Sequence, residues 1–213
     1  MLSRHVLAVC FALVVAPPPA ATQMLMMGES AEGFVSLFNG QNLDRWDGDP
    51  RLWKVERGVL IGSTDGVEPI KTNTFLIYKG AQYRDFELRL DIRLRNHNSG
   101  IQFRSEELPN WVVKGLQADA AEGNWWGSIY DERGSRGVIV NGWKGKGERI
   151  LKAGDWNDYR IYCKGGLVRL TLNGMVTAEL TNETPKSGVL ALQLHAGPPM
   201  RVEFRNIRIK SMD

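Results

Sequence analysis

The sequence predicts an all-β protein, an antiparallel β-sandwich of jelly-roll type, on three observations. Short stretches of alternating apolar and polar residues recur along the chain, glycine-rich turns separate them, and no segment sustains a helical hydrophobic period. The chain has 23 glycines in 213 residues, which disfavours long helices. A β domain of this length does not need to be split, so one hydrophobic core is expected.

The clearest strand is Phe86–Leu94, in which every even-numbered residue is apolar and every odd-numbered one is charged. The segment 53–61 predicts a hairpin around Arg57-Gly58. A second hairpin is predicted at Asn173-Gly174, because a type I′ turn needs positive φ at both central residues. This turn joins strands predicted at 167–172 and 175–180.

Three further strands are predicted at 159–163, 188–196 and 200–210, whereas the middle segment 105–152 is less regular. Cys163 lies on the apolar face of the first of these strands, so we interpret it as a buried, inert thiol.

The N-terminal residues have the layout of a secretory signal peptide: a short polar start, an apolar run over 6–16 and then three prolines. We therefore expect a signal peptide over 1–22, a flexible lead-in over 23–32 and a single jelly-roll domain over 33–213. The protein is expected to be exported, periplasmic or secreted, and to have no membrane partner once the signal is removed. Removal also takes away Cys10, which leaves no pair for an intramolecular disulfide.

Charge gives little support for a nucleic-acid partner. The formal net charge is +3, and no run of lysine or arginine is present. Nucleic acid is therefore not expected as a partner.

One strand suggests where a ligand would bind. In Leu190–His195, three leucines alternate with Ala191, Gln193 and His195, so one face is apolar and the other carries an amide and an imidazole. The same alternation recurs in three segments, and it places further polar side chains on strand faces: Gln102, Arg104, Gln117, Asp119 and Tyr130. Several such strands in one domain predict a polar groove on a sheet, suited to a sugar.

Two neighbouring tryptophans, Trp125 and Trp126, are further candidates for the wall of such a groove. Aromatic faces pack against sugar rings while their polar edges stay in water. The alternative is that these tryptophans cap the hydrophobic core. Trp111 and Trp143 lie in the same middle segment.

Several motifs together resemble a known family, the 3-keto-disaccharide hydrolases, also called 3-keto-glucoside lyase/hydratase-like domains. They follow one another from Gly33 to the C-terminal region and are Gly33–Trp46, Trp53–Leu60, Tyr83–Leu94, Asn98–Arg104, Gly154–Tyr159 and Phe204–Ile209. Each motif is weak by itself, but their order is specific.

The resemblance implies a concanavalin A-like fold and a substrate that is a glycoside oxidised at C3 of the sugar. It implies elimination followed by hydration, or hydrolysis, with a base near C2, a polarising group at the C3 oxygen and an acid for the leaving oxygen. Many members carry Tyr-Glu-x-Gln before the aspartate, whereas this chain has Gly115-Leu-Gln-Ala-Asp119, without that glutamate. This departure favours a non-catalytic, lectin-like carbohydrate-binding module as the alternative function.

Three residues are the candidate catalytic groups. His195 is the candidate base, since free imidazole titrates near neutral pH. Asp119 could act as base, metal ligand or anchor for sugar hydroxyls, and Tyr130 could donate a proton to the leaving oxygen. The candidate substrate-binding residues are Arg104, Gln102, Gln117, Gln193, Trp125 and Trp126.

No cofactor is identified in the sequence. A divalent metal could be held by residues such as Asp119, Asp131, Glu132, His97 and His195, but no His-x-His or His-x-x-x-His spacing supports one. We interpret Asp131 and Glu132 as partners of Arg133 and Arg136 in loop ion pairs.

Overall fold

Two antiparallel sheets build the domain in the computed structural model, which describes residues 32–184 and 186–213. The predicted signal peptide (1–22) and all of the lead-in (23–32) except Glu32 lie outside the described residues. None of the helices among these residues has the length and hydropathy of a membrane-spanning segment.

The first sheet contains eight strands. In spatial order it consists of β13 (Met175–Leu180), β12 (Leu167–Leu172), β11 (Asn157–Lys164), β6 (Phe86–Leu94), β15 (Arg201–Ser211), β4 (Val59–Ser63) and β3 (Trp53–Glu56), with β1 (Val35–Ser36) paired to β15. Every pairing is antiparallel.

The second sheet contains seven strands, also antiparallel throughout. Its spatial order is β10 (Gly137–Val140), β9 (Ile129–Glu132), β8 (Val112–Ala121), β7 (Asn98–Leu108), β14 (Val189–Leu194), β5 (Thr74–Tyr78) and β2 (Trp46–Asp47). The two antiparallel sheets, in which central neighbours such as β6 and β15 or β7 and β14 are distant in sequence, form a jelly-roll sandwich, so the predicted fold class is confirmed.

The predicted hairpins are present. Asn173 and Gly174 adopt φ values of 47° and 85°, as a type I′ turn requires. The middle segment is more regular than expected, because β8, β9 and β10 all fall within it. Among the described residues its irregular part is short, with a kinked π-helical turn over Trp143–Gly147 and one α-helical turn over Glu148–Ile150.

The core forms between the sheets from the apolar positions of the alternating strands. In β6 the even-numbered residues are all buried and the odd-numbered ones are partly exposed. Leu190, Leu192 and Leu194 of β14 enter the same core. Cys163 is fully buried, and its burial raises the pKa of the thiol to about 12, which agrees with an inert side chain.

The outer face of the second sheet, turned away from this core, has two halves. One half is apolar and forms a second small cluster of Phe75, Ile77, Val113, Val189 and Ala191. The hairpin between β7 and β8 is held against this half, because the backbone N–H of Phe75 donates to the carbonyl oxygen of Trp111 at 2.9 Å and the Trp111 indole donates to Asp47 at 3.0 Å. The other half is polar.

Candidate functional site

The polar half of the outer face contains a pocket of about 290 Å³. This volume is at the small end of the range for ligand pockets. The residues that line it are Asn73, Asn98, Gln117, Asp119, Trp125, Tyr130, Glu132, Val138, Gln193 and His195. Six of these were predicted from the sequence: Gln117, Asp119, Trp125, Tyr130, Gln193 and His195.

Strand register brings these side chains together. Gln117 of β8 lies opposite Tyr130 of β9, and Asp119 lies opposite Gly100 of β7. A Cβ atom at Gly100 would approach the Gln117 side-chain carbon Cδ to 2.5 Å, so a glycine is needed there for the amide to fit. The period-two repeat then aims Gln117, Asp119 and Tyr130 toward the same side.

Asp119 is the most perturbed acid in the pocket. Its side chain is buried, and this burial together with the charge of Glu132 raises its pKa to about 7, while a hydrogen bond from Gln117 Nε2 at 2.7 Å acts in the opposite direction. A carboxyl group with this pKa can give or take a proton near neutral pH.

Glu132 also faces the pocket, and this position corrects the expectation of a loop ion pair. Its carboxylate accepts hydrogen bonds from Asn73 Nδ2 at 3.2 Å and from Gln193 Nε2 at 3.2 Å. The preceding residue, Asp131, does pair with Arg136 at 3.1 Å. Adjacent residues of a strand point to opposite faces of the sheet. The alternation within β9 therefore predicts that Asp131 and Glu132 lie on opposite faces.

Tyr130 keeps its proton over a wider pH range than a free phenol. Burial and the neighbouring carboxylates, chiefly Glu132, raise its pKa. It can therefore serve as a proton donor in the pocket.

His195 follows directly after β14 at the rim of the pocket. Its Nδ1 lies 2.6 Å from the carbonyl oxygen of Ala196, and because a carbonyl only accepts, Nδ1 must carry a proton. In the neutral ring the lone pair is then on Nε2. The His97 ring packs edge-on against His195 at 4.9 Å between centroids, and its Nε2 lies 3.3 Å from the same carbonyl.

Arg104 lies outside the pocket, contrary to the expectation that it contacts the substrate. Its guanidinium is buried and donates to the carbonyl oxygens of Arg84 and Gly165 and to Asp85 at 3.0 Å. A β-bulge between Phe103 and Glu106 and a φ of 49° at Arg104 interrupt the alternation on which the prediction relied.

Gln102 is also not a lining residue. It is fully buried behind the pocket, where its amide contacts Gln117 and Ser105 rather than open space. The expectation of direct substrate contact by Gln102 is therefore corrected to a place one layer behind.

The two neighbouring tryptophans divide between wall and core. Trp125 is 38% exposed and lines the pocket. Trp126 is buried in the core and packs edge-to-face on Tyr159 at 6.5 Å, so its predicted substrate contact is not supported by its position.

Asn73, Asn98 and Val138 line the pocket but were not predicted. The Oδ1 atom of Asn98 is buried without a hydrogen-bond partner among the described residues, so it is a free acceptor for a ligand hydroxyl. Asn98 could have been found because it begins the motif Asn98–Arg104, whereas Asn73 lies in a loop that shows no pattern.

Within residues 32–184 and 186–213, no group of three or more His, Cys, Asp or Glu side chains is arranged to hold a metal ion. The lining residues also include no lysine or arginine. The pocket therefore offers amides, two carboxylates, a phenol and an imidazole, a set that suits a neutral polyhydroxy ligand.

Fold and site define a jelly-roll β-sandwich protein with a polar pocket on one sheet face. Solved structures with the same fold include a protein from Parabacteroides distasonis ATCC 8503, described provisionally as a glycosyl hydrolase (22% identity, TM-score 0.65, 87% of this chain and 97% of that one). They also include the carbohydrate-binding module CBM66 from Bacillus subtilis (14% identity, TM-score 0.53, 84% and 96%). A third is a Bacillus licheniformis β-glucanase (11%, 0.58, 84% and 97%).

At these identities the likeness shows the fold alone. No curated protein matches the chain. The family model of the 3-keto-alpha-glucoside-1,2-lyase-like domain matches residues 33–210, and the chain belongs to this family. The resemblance inferred from the ordered motifs is thereby confirmed.

Proposed function

We propose that this protein cleaves glycosides whose sugar carries a keto group at C3, and that the pocket on the second sheet is its active site. The observation that carries the proposal is the convergence of Asp119, with its raised pKa, the oriented imidazole of His195 and the protonated phenol of Tyr130 in one pocket. Membership of a family named for 3-keto-glucoside chemistry supports a carbohydrate substrate.

The chemistry follows from the keto group, which acidifies the proton on C2. A base removes this proton, the electron pair forms the C1=C2 double bond, and the C1–O bond breaks with its electrons on the leaving oxygen. An acid protonates that oxygen. Water then adds across the double bond, with its hydroxyl on C1 and its proton on C2, to give the free 3-keto sugar.

The geometry suggests which residue takes which role. His195 Nε2 is the base, because Nδ1 is engaged with the Ala196 carbonyl. Asp119 is placed to exchange protons near neutral pH and to return one when water adds. Tyr130 donates to the leaving oxygen or to the C3 oxygen, at which negative charge develops.

Binding groups surround these three residues. Trp125 offers a half-exposed ring for the sugar face, and Asn98 offers a free acceptor for a hydroxyl. We further propose that the protein is exported before it acts, as the N-terminal sequence suggests.

The test is turnover of a matched pair of substrates. The protein is incubated with a 3-keto-disaccharide and with its non-oxidised parent, and release of monosaccharides or of the unsaturated keto sugar is followed. We expect turnover of the keto form alone, with kcat reduced about 10²–10⁴-fold in His195→Ala. Binding of the keto form without turnover would instead identify a carbohydrate-binding module, and turnover of both forms would contradict the elimination chemistry.

A further inference from the structure

Three buried glutamines, two of which line the pocket, form a chain of hydrogen bonds. Gln102 Nε2 donates to Gln117 Oε1 at 2.8 Å, and Gln102 Oε1 accepts from the Ser105 hydroxyl at 2.7 Å. Gln117 Nε2 then donates to Asp119 Oδ1 at 2.7 Å and to Gln193 Oε1 at 3.3 Å. Gln193 Nε2 donates to Glu132 Oε2 at 3.2 Å.

The direction of the chain follows from its ends. An ionised carboxylate only accepts hydrogen bonds, so Asp119 and Glu132 each require an amide nitrogen to face them. Gln117 and Gln193 must then turn their oxygens away from these carboxylates. The Gln117 oxygen then accepts a hydrogen bond from the Gln102 nitrogen. The positions of the oxygen and nitrogen atoms of all three amides are thereby fixed.

A reversed Gln117 amide would bring its carbonyl oxygen against Asp119 Oδ1. Two acceptors at that distance repel unless the carboxyl group carries a proton. The donor that opposes this reversal is Gln102, which is fully buried and has no place in the pocket lining.

We propose that Gln102 is a positioning residue that holds the Gln117 amide nitrogen toward Asp119 and so sets how readily Asp119 releases its proton. Its effect on turnover rests on the proposed function, whereas its effect on Asp119 does not. Gln102 thus controls the proton affinity of Asp119 without contacting the substrate.

Several ionisable groups lie around Asp119. Glu132 and Tyr130 face it from β9, Tyr159 of β11 donates its hydroxyl to the Asp119 carbonyl oxygen at 2.9 Å, and His195 lies beyond β14. Burial and the charge of Glu132 raise the pKa of Asp119, and the Gln117 hydrogen bond lowers it. Weakening that bond should therefore raise the pKa further.

The experiment is a ¹³C NMR titration of the Asp119 carboxyl carbon in the free protein. Gln117→Met removes the direct donor and should raise the pKa by about one unit, as expected for one hydrogen bond to a carboxylate. Gln102→Met, of similar volume, should raise it by about half as much. Ser105→Ala should raise it least, because that hydroxyl also reaches two backbone carbonyl oxygens.

Ser99→Ala is the matched control, since Ser99 is buried and bonds the backbone of Gln193 but is outside the chain of amides. A shift in Gln117→Met with none in Gln102→Met would overturn the proposal. If Gln102→Met does not fold, Ser105→Ala decides: a shift larger than that of Ser99→Ala supports the chain, and an equal one contradicts it.

Activity provides a second measurement. The pH profile of kcat/KM reports the pKa values of the free protein. In Gln102→Met, the pKa that this profile gives for Asp119 should shift by the same amount as the pKa from the NMR titration. A wild-type protein that fails to turn over 3-keto-glycosides would refute the proposed function, yet the titration would still test the role of Gln102.

Discussion

The strands of both sheets show the same alternation of apolar and polar residues, but the polar side chains on the two outer faces differ in kind. On the first sheet the outward side chains are arginines paired with carboxylates, among them the buried Glu203, and Arg93 and Arg205 lie over the ring of Trp156 at 4.7 and 4.1 Å. On the polar half of the second sheet they include three glutamines and two carboxylates that are buried.

The difference teaches that a buried carboxyl group without a cationic partner, rather than polarity alone, distinguishes the proposed active-site face from the other face. Exposed ion pairs are screened by water and contribute little, whereas a buried polar group acts at full strength on its neighbours. Only a buried position gives Asp119 a pKa of about 7. Its carboxyl group can therefore exchange protons near neutral pH, whereas on the first sheet burial raises the pKa of Glu203 but Arg201 and Arg93 outweigh it, so that this pKa is lowered.

The largest expected effect compares one aspartate from each face. Asp119→Asn should lower kcat/KM for a 3-keto-disaccharide about 10³-fold, equivalent to about 4 kcal/mol, because the variant cannot exchange a proton. Asp91→Asn, which breaks the pair with Arg205 on the first sheet, should leave kcat/KM within about twofold. Similar losses in both variants would remove the distinction between the faces.

The second effect is on stability and its pH dependence. The folded protein holds the Asp119 proton up to about pH 7, whereas an unfolded aspartate releases it near pH 3.8. The contribution of this proton to stability is thus complete below about pH 4 and is lost as pH rises to 7, about 4 kcal/mol in all.

Asp119→Asn has no titrating carboxyl group at this position, so it does not lose this stability as the pH rises. Thermal or urea unfolding should show the variant gaining stability over the wild type between pH 4 and pH 8. A constant difference between the two proteins across that range would mean that Asp119 does not titrate with a raised pKa.

A smaller effect is expected for the buried amides. Gln193→Leu keeps most of the side-chain volume but removes one hydrogen-bond partner from Glu132 and one from the Gln117 amide. We expect a cost of about 1–3 kcal/mol in the free energy of urea unfolding. An unchanged free energy would show that water replaces the amide and that this face is wetter than its burial indicates.

The smallest effect is expected at an exposed ion pair. Arg169 and Glu179 lie 2.7 Å apart on the first sheet, and both side chains are 42% exposed. Glu179→Gln should change the free energy of unfolding by less than about 1 kcal/mol, and less still at high salt. A cost equal to that of Gln193→Leu would erase the energetic difference between the two faces.

The strands could be predicted because their alternation is local. Phe86–Leu94 and the turn at Asn173-Gly174 needed no knowledge of the rest of the chain. The same alternation placed Gln117, Asp119, Tyr130 and Gln193 on the polar side of their strands, and the structure brings them into one pocket.

What failed depended on non-local geometry. Arg104 lies in a bulge that only strand pairing reveals, and Trp126 packs in the core against Tyr159 of the other sheet. Asn73 enters the pocket from a loop before β5, far from its neighbours in sequence. The neighbouring arginines predict a loop ion pair for Glu132, although its spacing from Tyr130 places both on one face of β9.

The location of the site is tested most directly by NMR mapping of a bound substrate. A 3-keto-disaccharide is titrated into ¹⁵N-labelled Asp119→Asn, in which turnover is suppressed, and the amide and indole signals are followed. We predict that the changes concentrate on the Trp125 indole and on the side-chain amides of Gln117 and Gln193. Changes centred on Trp156 and the arginines of the first sheet, or no changes at millimolar ligand, would contradict the assignment of the active site to the second sheet.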